Sequence, residues 1–211
     1  MVTANNAGTT VSGVLQKFLL VVVGLGAVYF LYTSVLPYLT WRAGPSTDYY
    51  LPFRVPLLTH IAGGLIAVVA GLWQVATGLN GAAMGVHPWT GRLYVTGVLV
   101  GAAGAFALAF SSHLHGVAWG VALVCLALAW LSTTAMALYC IKRRNLRLHK
   151  QWMIRSYIVT FAFVTFRIMT DVVPYEAWWG ISARELANAA IWPVWVIPLL
   201  AYEIYLQSRN V

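Results

Sequence analysis

The residues of this 211-residue chain best suited to chemistry are five histidines, His60, His87, His113, His115 and His149. Each stands at or near the end of a long apolar segment. His60 lies about one helical turn into the second such segment. His87 comes just before the third, in His87-Pro88-Trp89-Thr90-Gly91-Arg92-Leu93-Tyr94. His113 and His115 occupy the turn between the third and fourth, and His149 opens the fifth, in His149-Lys150-Gln151-Trp152-Met153-Ile154-Arg155-Ser156-Tyr157. Successive segments run in opposite directions, so His60 shares one end of the bundle with His113 and His115, and His87 shares the other with His149. Haem iron takes two axial imidazoles from opposite sides, so a bis-histidine site needs two histidines at one depth on different helices. The sequence meets that condition at both ends. Polar side chains also gather at helix ends in any membrane protein, because they are costly at the midplane. Five interfacial histidines with no common ligand fit the spacing equally well. Zinc fits less well, since no acid or cysteine lies close in sequence to complete a tetrahedral set.

The elements that must position these imidazoles are membrane helices. Of the residues, 61% are hydrophobic and 9% charged, against about 25% charged in soluble domains. Mean hydropathy is +0.77. Ten Trp and eleven Tyr suit a chain with aromatic belts at lipid headgroups. Disorder is excluded, and so is soluble nucleic-acid binding despite a net charge of +8. A span needs about 20 mainly apolar residues. Six segments qualify, running roughly over 18–36, 57–79, 89–110, 117–141, 152–169 and 189–206. The first follows a single Lys17, is too long for a signal-peptide core and lacks a small-residue cleavage site, so it reads as a retained helix. The expected fold class is all-α: a polytopic bundle of six transmembrane helices forming one domain over residues 1–211. The expected location is a cell membrane, multi-pass, of the bacterial inner-membrane kind.

Lys and Arg stay with cytoplasmic loops. Lys142, Arg143, Arg144, Arg147, Lys150 and Arg155 fall between the fourth and fifth segments, and Lys17, Arg92 and Arg209 lie on the same side. The opposite side holds Arg42, Arg54, Arg167 and Arg184 with Asp48, Asp171, Glu176 and Glu185, which leaves it near neutral. Both termini are therefore expected in the cytoplasm. The run over 142–150 also suits anionic lipid, although topology alone explains it.

Helical phase adds detail. His149, Ser156, Thr160, Arg167 and Asp171 fall on one stripe of the fifth segment, which a bundle interior would receive. Arg167 either pairs with Asp171 one turn on or holds a haem propionate. On the second segment His60, Gly64, Ala67 and Gly71 share a face. Its small residues leave room for a macrocycle or for close helix packing, as Gly97-x-x-x-Gly101-x-x-x-Ala105 does on the third. Cys125 and Cys140 lie on one helix about 22 Å apart, too far for a disulfide.

The stretch from Leu58 to Met169, with Thr59-His60-Ile61-Ala62-Gly63 and the motifs at 87–94 and 149–157, resembles a widespread bacterial family of multi-pass membrane proteins of unknown function. The order of its histidines is also similar to that of the ascorbate-reducible transmembrane cytochrome b family. That resemblance implies one haem b between the second and fourth helices and another between the third and fifth. Carried over, His60 and His115 hold the outer haem and His87 and His149 the inner one. His115 is preferred to His113 because it can begin the fourth helix. Arg92 and Arg155, each within six residues of an inner histidine, would hold propionates by charge-assisted hydrogen bonds.

Two functions follow from these readings. One is an electron carrier of cytochrome b type, exchanging electrons with a quinone or a soluble partner. The other is a cofactor-free accessory or assembly subunit, docking a larger membrane complex through its small-residue stripes and the aromatic loop with Trp41, Tyr49, Tyr50 and Phe53. A transporter would want carboxylates or broken helices near the midplane, and no Asp or Glu lies at the centre of a span. The chain carries no nucleotide motif, no nucleophile with an adjacent base and no paired carboxylates.

Overall fold

The computed structural model describes residues 4–40, 44, 48–81, 83–111 and 116–209. His113 and His115 lie outside the described residues, as do Trp41 and Arg42. Among the described residues there is no strand, and six helical stretches are long and apolar enough to cross a membrane: Lys17–Leu39, Leu51–Gly78, His87–Ser111, Val117–Lys142, Leu146–Val172 and Ala183–Ser208. The chain is an all-α polytopic bundle.

Helix α1 (Ala4–Phe30) continues through a π-turn, Leu31–Val35, into a last turn, Leu36–Leu39. Pro37 explains the π-turn. It has no N–H to give Thr33 O, and the ladder shifts so that Leu36 N–H bonds Leu31 O. Helices α2 (Arg54–Asn80), α3 (His87–Ser111) and α4 (Val117–Lys142) are unbroken. The fifth span is two helices, α5 (Leu146–Thr160) and α6 (Ala162–Val172). Near the break, Thr160 donates to Ser156 O and Thr165 to Phe161 O, side-chain bonds to the preceding turn that bend helices. A short α7 (Tyr175–Trp179) leads to α8 (Ala183–Ala190) and α9 (Pro193–Ser208), which together make the sixth span.

Two helix starts precede the apolar segments. The fifth span begins at Leu146 because the Asn145 side chain accepts Leu148 N–H at 3.0 Å, and its first turns carry Arg147, His149 and Lys150 beyond the apolar layer. The sixth begins at Ala183 on a capping box between Ser182 and Glu185, then breaks before Pro193. Hydropathy senses the lipid layer, whereas caps set where a helix starts.

Helices α2 to α5 form the core. Only 11% of the first span and 17% of the last are buried, against 33–39% for the other four. The tightest contact is between α2 and α3. A Cβ at Gly63 would lie 2.6 Å from Gly97 O and closer still to Gly101 N, and one at Gly104 would lie 2.5 Å from His60 N. Backbone therefore touches backbone, the packing that small residues permit where apolar burial cannot drive association.

Candidate functional site

The three described histidines are each fixed through Nδ1. His60 Nδ1 lies 2.8 Å from Gly101 O on α3, and His149 Nδ1 lies 2.9 Å from Ala137 O on α4. A carbonyl can only accept, so both imidazoles donate from Nδ1. His87 Nδ1 lies 3.0 Å from Thr77 Oγ1 on α2, and that hydroxyl gives its proton to Trp73 O at 2.8 Å. In all three the Nδ1 edge of the ring is held by a neighbouring oxygen, the kind of contact that orients the other nitrogen of a metal-binding imidazole.

His87 and His149 lie at the same end of the bundle, the basic one. His149 and Lys150 lie within electrostatic reach of His87. Their facing is fixed two turns deeper. Tyr94 follows His87 by seven residues, and Ser156 follows His149 by seven. That spacing is within about 20° of two full turns, and Tyr94 Oη meets Ser156 Oγ at 2.6 Å. The same sides of α3 and α5 therefore face each other where the histidines stand.

Below this pair is a buried hydroxyl cluster. Tyr94 and Ser156 are fully buried. Tyr94 Oη also lies 2.7 Å from Thr160 Oγ1, which accepts Trp130 Nε1–H at 2.7 Å, and Thr134 Oγ1 lies 2.7 Å from Ser156 Oγ. Every donor has an acceptor, so the cluster fixes the packing of α3, α4 and α5. Tyr94→Phe should lower stability by about 1 kcal/mol, the scale of one or two hydrogen bonds within a membrane. Unfolding in mixed detergent with an unchanged midpoint would show the hydroxyl contributes nothing.

The expected polar stripe of the fifth span divides at the break. His149, Ser156 and Thr160 belong to the core. Arg167 and Asp171 turn to α1, where Arg167 Nε donates to Ser34 Oγ at 2.9 Å and Tyr29 Oη to Asp171 at 3.1 Å. Arg167 Nη2 lies 3.6 Å from Asp171, so the pairing with Asp171 is present. Arg155 is bidentate on Glu203 of α9 at 2.5 and 2.9 Å, with its guanidinium over the Trp152 ring at 4.5 Å. A propionate would have to displace Glu203 there. Arg92 lies over Trp89 at 4.6 Å and is exposed at the basic end.

Phe163 occupies one side of His60. The imidazole meets that ring edge-on at 5.7 Å, and Phe163, Phe166 and Trp119 continue that cluster. Of the small-residue stripe, Ala67 abuts Gly97, Gly71 receives the Tyr157 and Tyr94 rings, and Gly64 has nothing within 4 Å. Two cavities, of about 170 Å³ beside Tyr157 and 280 Å³ beside Tyr175, are lined by no histidine. Among the described residues no three His, Cys, Asp or Glu side chains gather as a metal site, whereas axial ligation of haem needs two. At the basic end His87 and His149 are each held through Nδ1 by a neighbouring helix. At the opposite end only His60 is described. Cys125 and Cys140 are free, as expected.

Several partners were hidden from the sequence reading. Gln74, Thr77, Trp130, Thr134 and Glu203 meet residues on other helices. Gln74 and Thr77 did leave a signal, polar side chains three residues apart in an apolar span.

Fold and site define an integral membrane protein with six helical spans, whose four central helices carry two histidines at the basic end. Residues 57–206 match the predicted membrane protein family DUF2306, and the chain belongs to that family. No curated protein and no solved structure matches it.

Proposed function

We propose that this chain is a b-type cytochrome-like membrane protein, whose histidines hold haem as bis-imidazole ligands and which passes electrons within or across the bilayer. The observation that supports this most is the common anchoring of the described histidines: Nδ1 is engaged by a neighbouring helix in all three. Interfacial histidines with only a solvating role have no reason to share one anchored nitrogen. At the basic end His87 and His149 would be the axial ligands, with Arg92 within reach of a propionate. At the other end His60 is the ligand on α2, and the resemblance supplies His115 as its partner. Haem would bring one-electron chemistry. The residues would fix ligand tautomers, exclude water through the Tyr94 cluster and set the depth of each iron. Quinone is the membrane-soluble class of partner that suits such a carrier.

A reduced-minus-oxidised absorption spectrum of the purified protein, expressed with haem supplied, tests the reading. Sharp α and β bands of six-coordinate low-spin haem b are expected. A colourless protein would overturn it and leave the accessory subunit in a larger complex as the surviving reading.

The basic end is proposed to face the cytoplasm, because nine of the thirteen Lys and Arg residues lie on that side. Reporter fusions within 142–150 should be active only as cytoplasmic reporters; activity of a periplasmic reporter there would reverse the orientation.

A further inference from the structure

We infer that Thr77 is the positioning residue for His87: its hydroxyl holds the imidazole with the proton on Nδ1 and leaves Nε2 free at the end of the bundle that His87 shares with His149. As a statement about ligation this rests on the function proposed above; as a statement about the tautomer it stands on the bonds themselves. Thr77 is buried on α2, and its hydroxyl lies 2.8 Å from Trp73 O one turn back. With its proton given to that carbonyl, only lone pairs face His87, which selects one tautomer of a ring that in water samples both.

The clamp has a second jaw one turn along α2. Gln74, also buried, donates from Nε2 to His87 O at 2.6 Å and to Thr90 Oγ1. It lies against Gly91, where an added Cβ would be 3.5 Å from its Oε1. This gives a physical account of the motif at 87–94. His87 is the presented group, Thr90 and Gly91 receive Gln74, and Tyr94 enters the hydroxyl cluster. It also explains how a histidine on the first residue of a helix, where chain ends usually fray, keeps a fixed ring. His149 needs no such side chain, because Ala137 O does the same work from the α4 backbone.

The experiment uses the full chain in lipid nanodiscs with ¹⁵N-labelled histidine, the His87 signal being assigned by its loss in His87→Gln. Wild type should show His87 protonated on Nδ1 and bare on Nε2. Thr77→Val keeps the shape but removes the acceptor, and should give the other tautomer or a mixture, while the His60 and His149 signals stay in place as a control for folding. Thr77→Ser should restore the wild-type pattern. In haem-loaded protein Thr77→Val should weaken retention at this site by about 10- to 100-fold, the usual effect of losing an outer-shell partner, and move its midpoint potential.

A wild-type His87 protonated on Nε2, or a Thr77→Val protein with the wild-type His87 signal, would overturn the inference. Haem absent with the tautomer pattern as expected would defeat the haem reading alone. Haem present with Thr77→Val unchanged in tautomer and potential would defeat the clamp alone.

Discussion

Gly63→Ala should destabilise the protein strongly, while Gly64→Ala, one residue along the same helix, should not. The added Cβ at 63 has no space, since it would lie 2.6 Å from Gly97 O and nearer still to the Gly101 backbone. These are main-chain atoms of a helix, and no rotamer change can move them aside. The two helices would have to separate, opening contacts along α2 and α3 from Gly63 to Ala67 and from Gly97 to Gly104. Overpacking of a tight core costs about 1–3 kcal/mol, and a clash between backbones falls at or beyond the upper end. At Gly64 nothing lies within 4 Å. There Ala should be neutral, or stabilising by roughly 0.5–1 kcal/mol through helix propensity. Thermal unfolding in detergent, followed by size-exclusion profile, reads the difference. Equal midpoints for the two variants would mean that α2 and α3 are not in backbone contact.

The second large effect concerns His149. On the function proposed above, His149→Ala should abolish the low-spin haem signal of the basic end, leaving whatever the His60 end contributes, without unfolding the chain. Its ring is part-buried near the start of α5, and its one bond goes to the Ala137 carbonyl. Losing that bond costs about 1 kcal/mol, small beside a helix pair held also by the Tyr94 cluster. Losing one of the two histidines that would hold the haem should loosen its binding and change its spectrum. His87→Ala should have the same spectral effect, and the double variant should be no worse than either, because both act on one iron. Additive losses from the two single variants would place them at different haems. A spectrum unchanged in His149→Ala would remove this residue from the ligands altogether.

How much of the fold and site is legible in the sequence follows from what each signal measures. Hydropathy senses a run of residues against lipid, so the six spans can be counted along the chain. The histidine motifs can be singled out because rare polar residues stand out against an apolar background. The assignment of His87 and His149 to one end needs only the alternation of span direction. The charge split likewise gives a basic end carrying both.

Partners on other helices are not legible, because a single chain offers no rule linking positions far apart in sequence. Arg155 reads as a snorkelling arginine until Glu203 is seen beside it. The stripe from His149 to Asp171 reads as one face only while the helix is assumed straight. The break at Phe161 turns its outer part to α1, and Arg167 meets Ser34 there. Gly63 goes unnoticed beside Gly64, since phase at 100° per residue cannot say which of two adjacent glycines touches a neighbour. What the sequence by itself determined was therefore the set of membrane helices, their polarity of charge and the residue types available for ligation. The Nδ1 partner of each described histidine, the clamp of Gln74 and Thr77 on His87 and the contact of Phe163 with His60 were decided only by tertiary structure. Each depends on the distance between side chains that no local pattern encodes.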